Sequence, residues 1–505
     1  MNDCLKMSEL SDLLTRTTFG SRTAEDEMGK LTGYFVETAQ WRRIRTGQKD
    51  IVYGPKGSGK SAIFSVLLQR AGELRADGIV VKLAEQSRGE PVFAELAQEP
   101  PQNEEEWRLL WRAYFIQLIA ETLEDYAVEV DAAKRVYRGL EEQGLREGKG
   151  LKGALQAARR FAKRVRGAET VEGSTEVVGA TGAFKMTGKM ELPPEHADAV
   201  AAAAAVASLL DDADKALKEA DLEVWIALDR LDAVFSEPHV EAAAIRALMR
   251  VYLDFTTFTQ VSPKIFLRSD IWEEIVENKV FREASHVVRD ETITWKRDTL
   301  LNLAIRRILE NDALLKRFGV EPKSVLASIE SQEALFESLF EDGAAAGGGS
   351  RLDWALEAIE DGRGQSSPRE LIDLLNQLRD QQLERLQVGR PDPAGTPLFE
   401  GAVCDTALKE VSVTHLTRTL YAETPKVKEY VEMLRDGPVT YTAEELDTLW
   451  GETVDTSEGL RRSLIRAGFF RPPTGGQAGF DVAMLYRPAL GLSNEAGEDG
   501  EADGV

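Results

Sequence analysis

The chain has 505 residues, too many for one hydrophobic core, so two or three domains are expected. With 43% hydrophobic and 29% charged residues it has the composition of a globular protein, and no apolar run approaches the ~18 residues that a membrane helix needs. A net charge of −24 excludes a surface that binds nucleic acid throughout, and two cysteines, Cys4 and Cys404, exclude a disulfide framework or a cysteine metal site.

Residues 1–48 read as an N-terminal helical segment broken at Phe19-Gly20 and Gly33-Tyr34-Phe35. It begins without a basic-then-apolar leader pattern, so a cytoplasmic protein without a membrane partner is expected. Phe19, Phe35 and Trp41 suit either the core or stacking on a nucleotide base, and the core is the expected place for each. Residues 49–293 read as an α/β core. Asp50-Ile51-Val52-Tyr53 is a short buried strand, and 78–83, 222–228 and 263–270 are further strands alternating with helices. That alternation predicts a parallel sheet flanked by helices. Residues 104–126 carry Trp107, Leu110, Trp111, Tyr114, Phe115 and Leu118 at helical spacing, which predicts a buried stripe.

Residues 127–195 read as an insertion. It holds a basic helix, with Arg159, Arg160, Lys163 and Arg164 within 146–166, and then a hairpin-like stretch over 170–190. Residues 294–388 read as a helical lid, with a linker-like run at 344–350 and a second break at 389–397. Residues 398–490 read as a winged-helix-like module, and 491–505 as a disordered acidic tail.

The chemistry concentrates at Gly54-Pro55-Lys56-Gly57-Ser58-Gly59-Lys60-Ser61-Ala62. This matches the phosphate-binding loop pattern between a strand and a helix. Glycines let backbone N–H groups turn toward phosphates, and the helix N-terminus adds a positive dipole end. Lys60 is expected to reach the β- and γ-phosphates and the Ser61 hydroxyl to ligate Mg²⁺. Asp229 closes an apolar strand and is the candidate second holder of Mg²⁺. Asp232 is the candidate for orienting water, with Glu237 a weaker one. Arg268, at the end of the fourth strand and beside Asp270, is the candidate γ-phosphate sensor. Ser367-Pro368 reads as a helix start that places Arg369 in a first turn, where an arginine can reach a nucleotide. Arg282 and Arg289 have the placement of an arginine finger acting on a neighbouring subunit.

Together, residues 54–61, Asp229 to Asp232, Arg268 to Asp270 and Ser367-Pro368-Arg369 resemble the AAA+/STAND side of the P-loop ATPases. The Pro-Arg pair is similar to the second sensor of origin-recognition and KAP ATPases. Tyr34-Phe35-Val36-Glu37-Thr38 and the loop resemble a bacterial P-loop ATPase family first catalogued from cyanobacterial genomes. The resemblance implies a P-loop NTPase with a helical lid and a C-terminal winged helix that contacts DNA or protein. Some relatives in this group sit in phage-defence loci. Arg230 stands where the standard AAA+ pattern has Glu, which points to slow hydrolysis. The expectation is an ATP-binding, slowly hydrolysing, Mg²⁺-dependent homo-oligomeric switch, in which nucleotide occupancy sets the angle between sheet domain and lid. One alternative is a DNA-associated ATPase using 407–490 and 146–166. The other is a scaffold that binds nucleotide without turnover.

Overall fold

In the computed structural model, the structure describes residues 9–27, 29–86, 91–146, 150–169, 194–231, 237–277, 281–341, 349–472 and 479–493; of the side chains of 166–169, 194–200 and 238 nothing is said. The hairpin-like stretch, the 491–505 tail beyond residue 493, most of the 344–350 run and Asp232 lie outside the described residues. Backbone contacts group the chain into two units. One comprises Met1–Thr38, Pro55–Gly59 and Ile293–Val505, and the other Ala39–Gly54 and Lys60–Thr292.

The second unit is built on a five-stranded parallel sheet. Its strands are β1 (Ile51–Gly54), β2 (Ile79–Leu83), β3 (Glu223–Leu228), β4 (Val261–Arg268) and β5 (Asp290–Thr292), in the order β2-β3-β4-β1-β5. β1 is buried throughout and β3 nearly so, as expected of strands covered on both faces. β5 was not anticipated: Asp290-Glu291-Thr292 has no apolar residue, and it joins the sheet only by pairing with Ile51, Val52 and Tyr53. The chain leaves β1 toward one edge and leaves β4 toward the other. The carboxyl ends of these neighbouring strands are therefore where an open parallel sheet offers a ligand crevice.

Helices cover the sheet. Asn103 caps the helix Glu104–Asp125 by accepting from the Glu106 N–H at 2.9 Å. Its aromatic stripe is buried as the spacing predicts, with Trp111 donating to the Ala244 carbonyl and Tyr114 to that of Ala84. The basic helix Gly150–Glu169 is no appendage. Leu155, Phe161 and Val165 belong to the same core as the sheet and the stripe. Phe19 and Trp41 are fully buried, while Phe35 is half-buried.

At the amino end of the sheet lies a buried ion cluster. Lys264 on β4 is 1% exposed and pairs with Asp50 at 2.5 Å. Asp50 also receives Arg289 at 2.9 Å and the Tyr252 hydroxyl at 3.2 Å. The Lys264 ammonium lies 4.2 Å over the Trp225 ring. Burial lowers the Lys264 pKa, and the Asp50 charge opposes that shift. The cluster ties β1, β3, β4 and the residue before β5 together by charge.

The first unit packs the N-terminal helix Glu9–Arg16 with Arg297–Leu309, Pro368–Gln387 and Cys404–His415 around one core. A buried Arg307–Glu27 pair at 2.7 Å and the Arg379 bond to the Thr17 carbonyl hold the N-terminal segment in place. The same core continues into an antiparallel sheet of β6 (Thr440–Thr442), β8 (Gly479–Val482) and β7 (Phe470–Arg471). The helices Ala443–Trp450 and Val454–Arg466 lie between β6 and β7 in sequence. Among the described residues no helix is long and apolar enough to cross a membrane.

Asp50→Ala strands a buried lysine and is expected to cost about 3–5 kcal/mol in urea unfolding. The paired replacement Asp50→Leu with Lys264→Met is expected to recover much of that loss, since it removes both charges together.

Candidate functional site

β1 ends at Gly54, and the chain turns through residues 55–59 into the helix Lys60–Gln69. Gly57 and Gly59 adopt φ of +87° and +95°, a conformation that side chains disfavour. The Lys60 ammonium donates to the Gly54 carbonyl at 2.7 Å, so it lies over the loop rather than along the helix. Ser61 occupies the first turn of that helix. Ser58 is 1% exposed, and its hydroxyl has no hydrogen-bond partner among the described residues. A buried hydroxyl in that state calls for an acceptor that the protein does not supply. Loop glycines, helix N-terminus, lysine and hydroxyl together suit a phosphate group bearing Mg²⁺.

Asp229 is the first residue beyond β3 and is 5% exposed. The parallel register aligns Leu228 with Ile265 and Ile51, so Asp229 emerges at the carboxyl edge of the sheet, the edge where Gly54 and Arg268 share a row. Arg230 follows with φ of +63°. Its charge acts on Glu85, which lies two residues past β2 and is buried. Burial raises the Glu85 pKa, while N–H groups of Val92, Gln86 and Phe93 and the Arg230 charge lower it. Glu85 had a sequence signal, a carboxylate just beyond an apolar strand as at Asp229, that went unread.

Arg268 holds Asp270 with two bonds, at 3.1 and 2.6 Å. The sensor expected from sequence is thus a paired arginine at the strand end. Arg289 is engaged with Asp50 through the ion cluster, and Arg282 lies in the short 3₁₀ turn Arg282–His286.

The unit that contains residues 55–59 brings three further groups to the loop. Trp295 donates its indole N–H to the Ser58 carbonyl at 2.8 Å. Lys56 pairs with Glu423 at 2.6 Å. The start of the helix Pro368–Gln387 meets Gly57. A Cβ there would lie 2.9 Å from the Ser367 hydroxyl and 3.2 Å from the Arg369 Cβ. Arg369 therefore stands beside the loop, and its Nε makes a long bond of 3.4 Å to the Arg22 carbonyl.

Ser367 occupies the N-cap position, with Pro368 at N1, as the sequence predicts. Its hydroxyl, however, donates to the Glu370 carboxylate instead of capping a backbone N–H. Glu370 also meets His415 Nδ1 at 3.0 Å, and His415 Nε2 meets the Tyr486 hydroxyl at 3.1 Å. Burial alone would raise the Glu370 pKa. The His415 bond and charge, with the Ser367 hydroxyl, bring it down to about 2. Burial pushes the neighbouring Asp373 up to about 6, against the attraction of Arg22 at 3.0 Å. Glu370 had a local signal, the Ser-x-x-Glu spacing from Ser367 at the helix start, that went unread, while His415, Glu423 and Trp295 had none.

Several cations of the basic segment are held by the protein itself. Arg159 and Lys163 both pair with Glu99, and Arg146 pairs with Glu124 and Glu141. Arg164 donates to the Gln143 carbonyl.

No known protein family matches the chain. No curated protein matches it either. Among solved structures, the ORC2 protein of Aeropyrum pernix in its ADPNP–ADP complexes is similar over 90% of this chain and 91% of that chain, at 13% identity and a TM-score of 0.30. At that TM-score the two chains share too little geometry for one to inform the other.

Gly57→Ala is expected to lose roughly 1–3 kcal/mol in thermal unfolding, because an unfavourable φ and a forced Ser367 displacement coincide. His415→Ala leaves Glu370 buried without its main partner, a cost of about 3–5 kcal/mol. The Glu370 pKa is depressed in the fold, so the contribution is present above its ordinary value of 4.5 and is lost as pH falls toward about 2. Urea midpoints of wild type and variant are therefore expected to differ at pH 6 and to converge near pH 2.

Proposed function

We propose that this chain is a Mg²⁺-dependent, ATP-binding P-loop ATPase that hydrolyses slowly and acts as a switch. The observation that carries the reading is the loop itself. Residues 54–61 leave a central parallel strand, turn through two left-handed glycines, present Lys60 and a buried unpartnered Ser58 hydroxyl, and enter a helix at its N-terminus. When bound, Mg²⁺ supplies neutralisation of developing phosphate charge, and the Ser61 hydroxyl and Asp229 carboxylate are the residues to hold it. Lys60 positions phosphate oxygens. Arg268, with Asp270, and Arg369 are the candidate phosphate-facing arginines. Asp232 is the candidate for orienting water. The absence of Glu after Asp229 supports slow turnover, with Arg230 facing Glu85 instead.

The proposal extends to a homo-oligomer whose assembly follows nucleotide state, and phage defence is its proposed setting. A DNA-associated role would draw on the β6–helix–helix–β7–β8 arrangement, read as a winged helix, but the basic helix offers it little, since Arg159 and Lys163 share Glu99.

Lys60→Ala is expected to weaken ATP binding by about a hundredfold or more in titration calorimetry. Asp229→Asn is expected to retain much of the nucleotide affinity and lose its Mg²⁺ dependence. Phosphate release from wild type that disappears in Asp232→Asn supports hydrolysis. Binding without any phosphate release from wild type supports the scaffold reading, and unchanged affinity in Lys60→Ala removes the proposal altogether.

A further inference from the structure

We propose that Lys56 reads the terminal phosphate of a bound nucleoside triphosphate, and that Glu423 competes with that phosphate for the Lys56 ammonium. The inference rests on the nucleotide reading of the loop.

Lys56 lies four residues before Lys60 on the same loop, and the left-handed turn at Gly57 fixes the backbone immediately after it. Its Nζ is 2.6 Å from Glu423 Oε1, with side chains 36% and 19% exposed, so the pair is partly shielded from solvent. A carboxylate offers one negative charge. A terminal phosphate offers nearly two and three acceptor oxygens. A triphosphate is therefore the stronger competitor for this ammonium, and a diphosphate lacks the competing group. While Glu423 holds Lys56, its charge opposes the arrival of more negative charge at the loop.

Glu423 ends a helical stretch that begins as Cys404–His415, passes through the π turn Leu416–Leu420 and finishes as Tyr421–Glu423. π turns concentrate where a helix does functional work. The stretch is anchored upstream of that turn, where His415 bridges Glu370 and Tyr486. Its far end touches the loop through Lys56–Glu423. Exchange of one partner for another at Lys56 thus detaches the Glu423 carboxylate from the loop, while Tyr421, bonded to Glu432 at 2.8 Å, and the buried Leu420 keep the stretch seated. Lys56 becomes one specificity residue for triphosphate over diphosphate, and Glu423 at the end of the stretch its readout.

The test uses the full chain with Mg²⁺ and two probes, a non-hydrolysable ATP analogue and ADP, in titration calorimetry. Glu423→Gln is expected to tighten the triphosphate about three- to tenfold and to leave ADP within about twofold. Lys56→Met is expected to narrow the difference between the two probes by about three- to tenfold, leaving what Lys60 and the other phosphate-facing groups supply, and in that background Glu423→Gln is expected to have no effect. Lys56→Arg is expected to keep most of the preference. Hydrogen exchange over residues 416–427 is expected to rise with the triphosphate analogue and not with ADP. A Glu423→Gln variant with an unchanged ratio of the two affinities, when Lys60→Ala abolishes both, overturns the Lys56 proposal and leaves the nucleotide reading standing. Wild type that binds neither probe removes both. Thermal melts of each variant separate loss of fold from loss of discrimination, and Glu423→Ser serves as the second variant.

Discussion

The missing side chain of Gly57 is the constraint on which the described site depends. Its φ of +87° makes the turn of the phosphate loop, and its bare Cα leaves room for Ser367 and Arg369. One residue thus serves two demands, a backbone shape that side chains resist and a close approach that side chains block. With Ser367 brought this near, its hydroxyl is drawn to Glu370. That buried carboxylate then needs His415, and His415 needs Tyr486. A chain of polar groups therefore runs from a loop glycine to a residue near the C-terminal strands, each member satisfying the one before it. Such a network is costly when one partner is missing, so its members are expected to stand or fall together.

The sheet assigns its two ends different tasks. Around the amino end of β1, Asp50 gathers the buried Lys264, the partly exposed Arg289 and the Tyr252 hydroxyl into a cluster that spans several strands. A buried set of charges with partners on several strands penalises any slip in register more sharply than apolar contacts do. At the carboxyl ends stand Asp229, Arg230, Glu85 and Arg268, the groups on which the proposed chemistry draws.

How much of this was legible in sequence followed from how local each feature is. The loop was readable because strand, glycines, lysine and helix lie within about twenty residues, and backbone geometry alone dictates their types. Asp229 and Arg268 were readable as strand ends. β5 was not, because Asp290-Glu291-Thr292 is held by pairing with β1 rather than by its own apolar pattern. The Ser367-Pro368 helix start was located, yet the residue that keeps Glu370 charged there, His415, lies 45 residues further on. The basic helix could be read either as a binding surface or as a face paired with the protein's own carboxylates, because its cations are adjacent in sequence and their partners are not. Glu99, which pairs with two of them, lies about sixty residues away. Composition counts charges but does not pair them.

The π turn at Leu416–Leu420 gives its helix a gearing. A π turn accommodates an additional residue in a helix that otherwise repeats every 3.6. Everything downstream is therefore phased by about 100° relative to an uninterrupted α-helix. Collapse of that one turn to α geometry would rotate Glu423 by more than a quarter of a revolution about the helix axis, carrying its carboxylate off Lys56 while the His415 end stays still. The helix can thus act as a crank, in which the insertion or loss of a single peptide unit converts axial slippage into a swing at its tip.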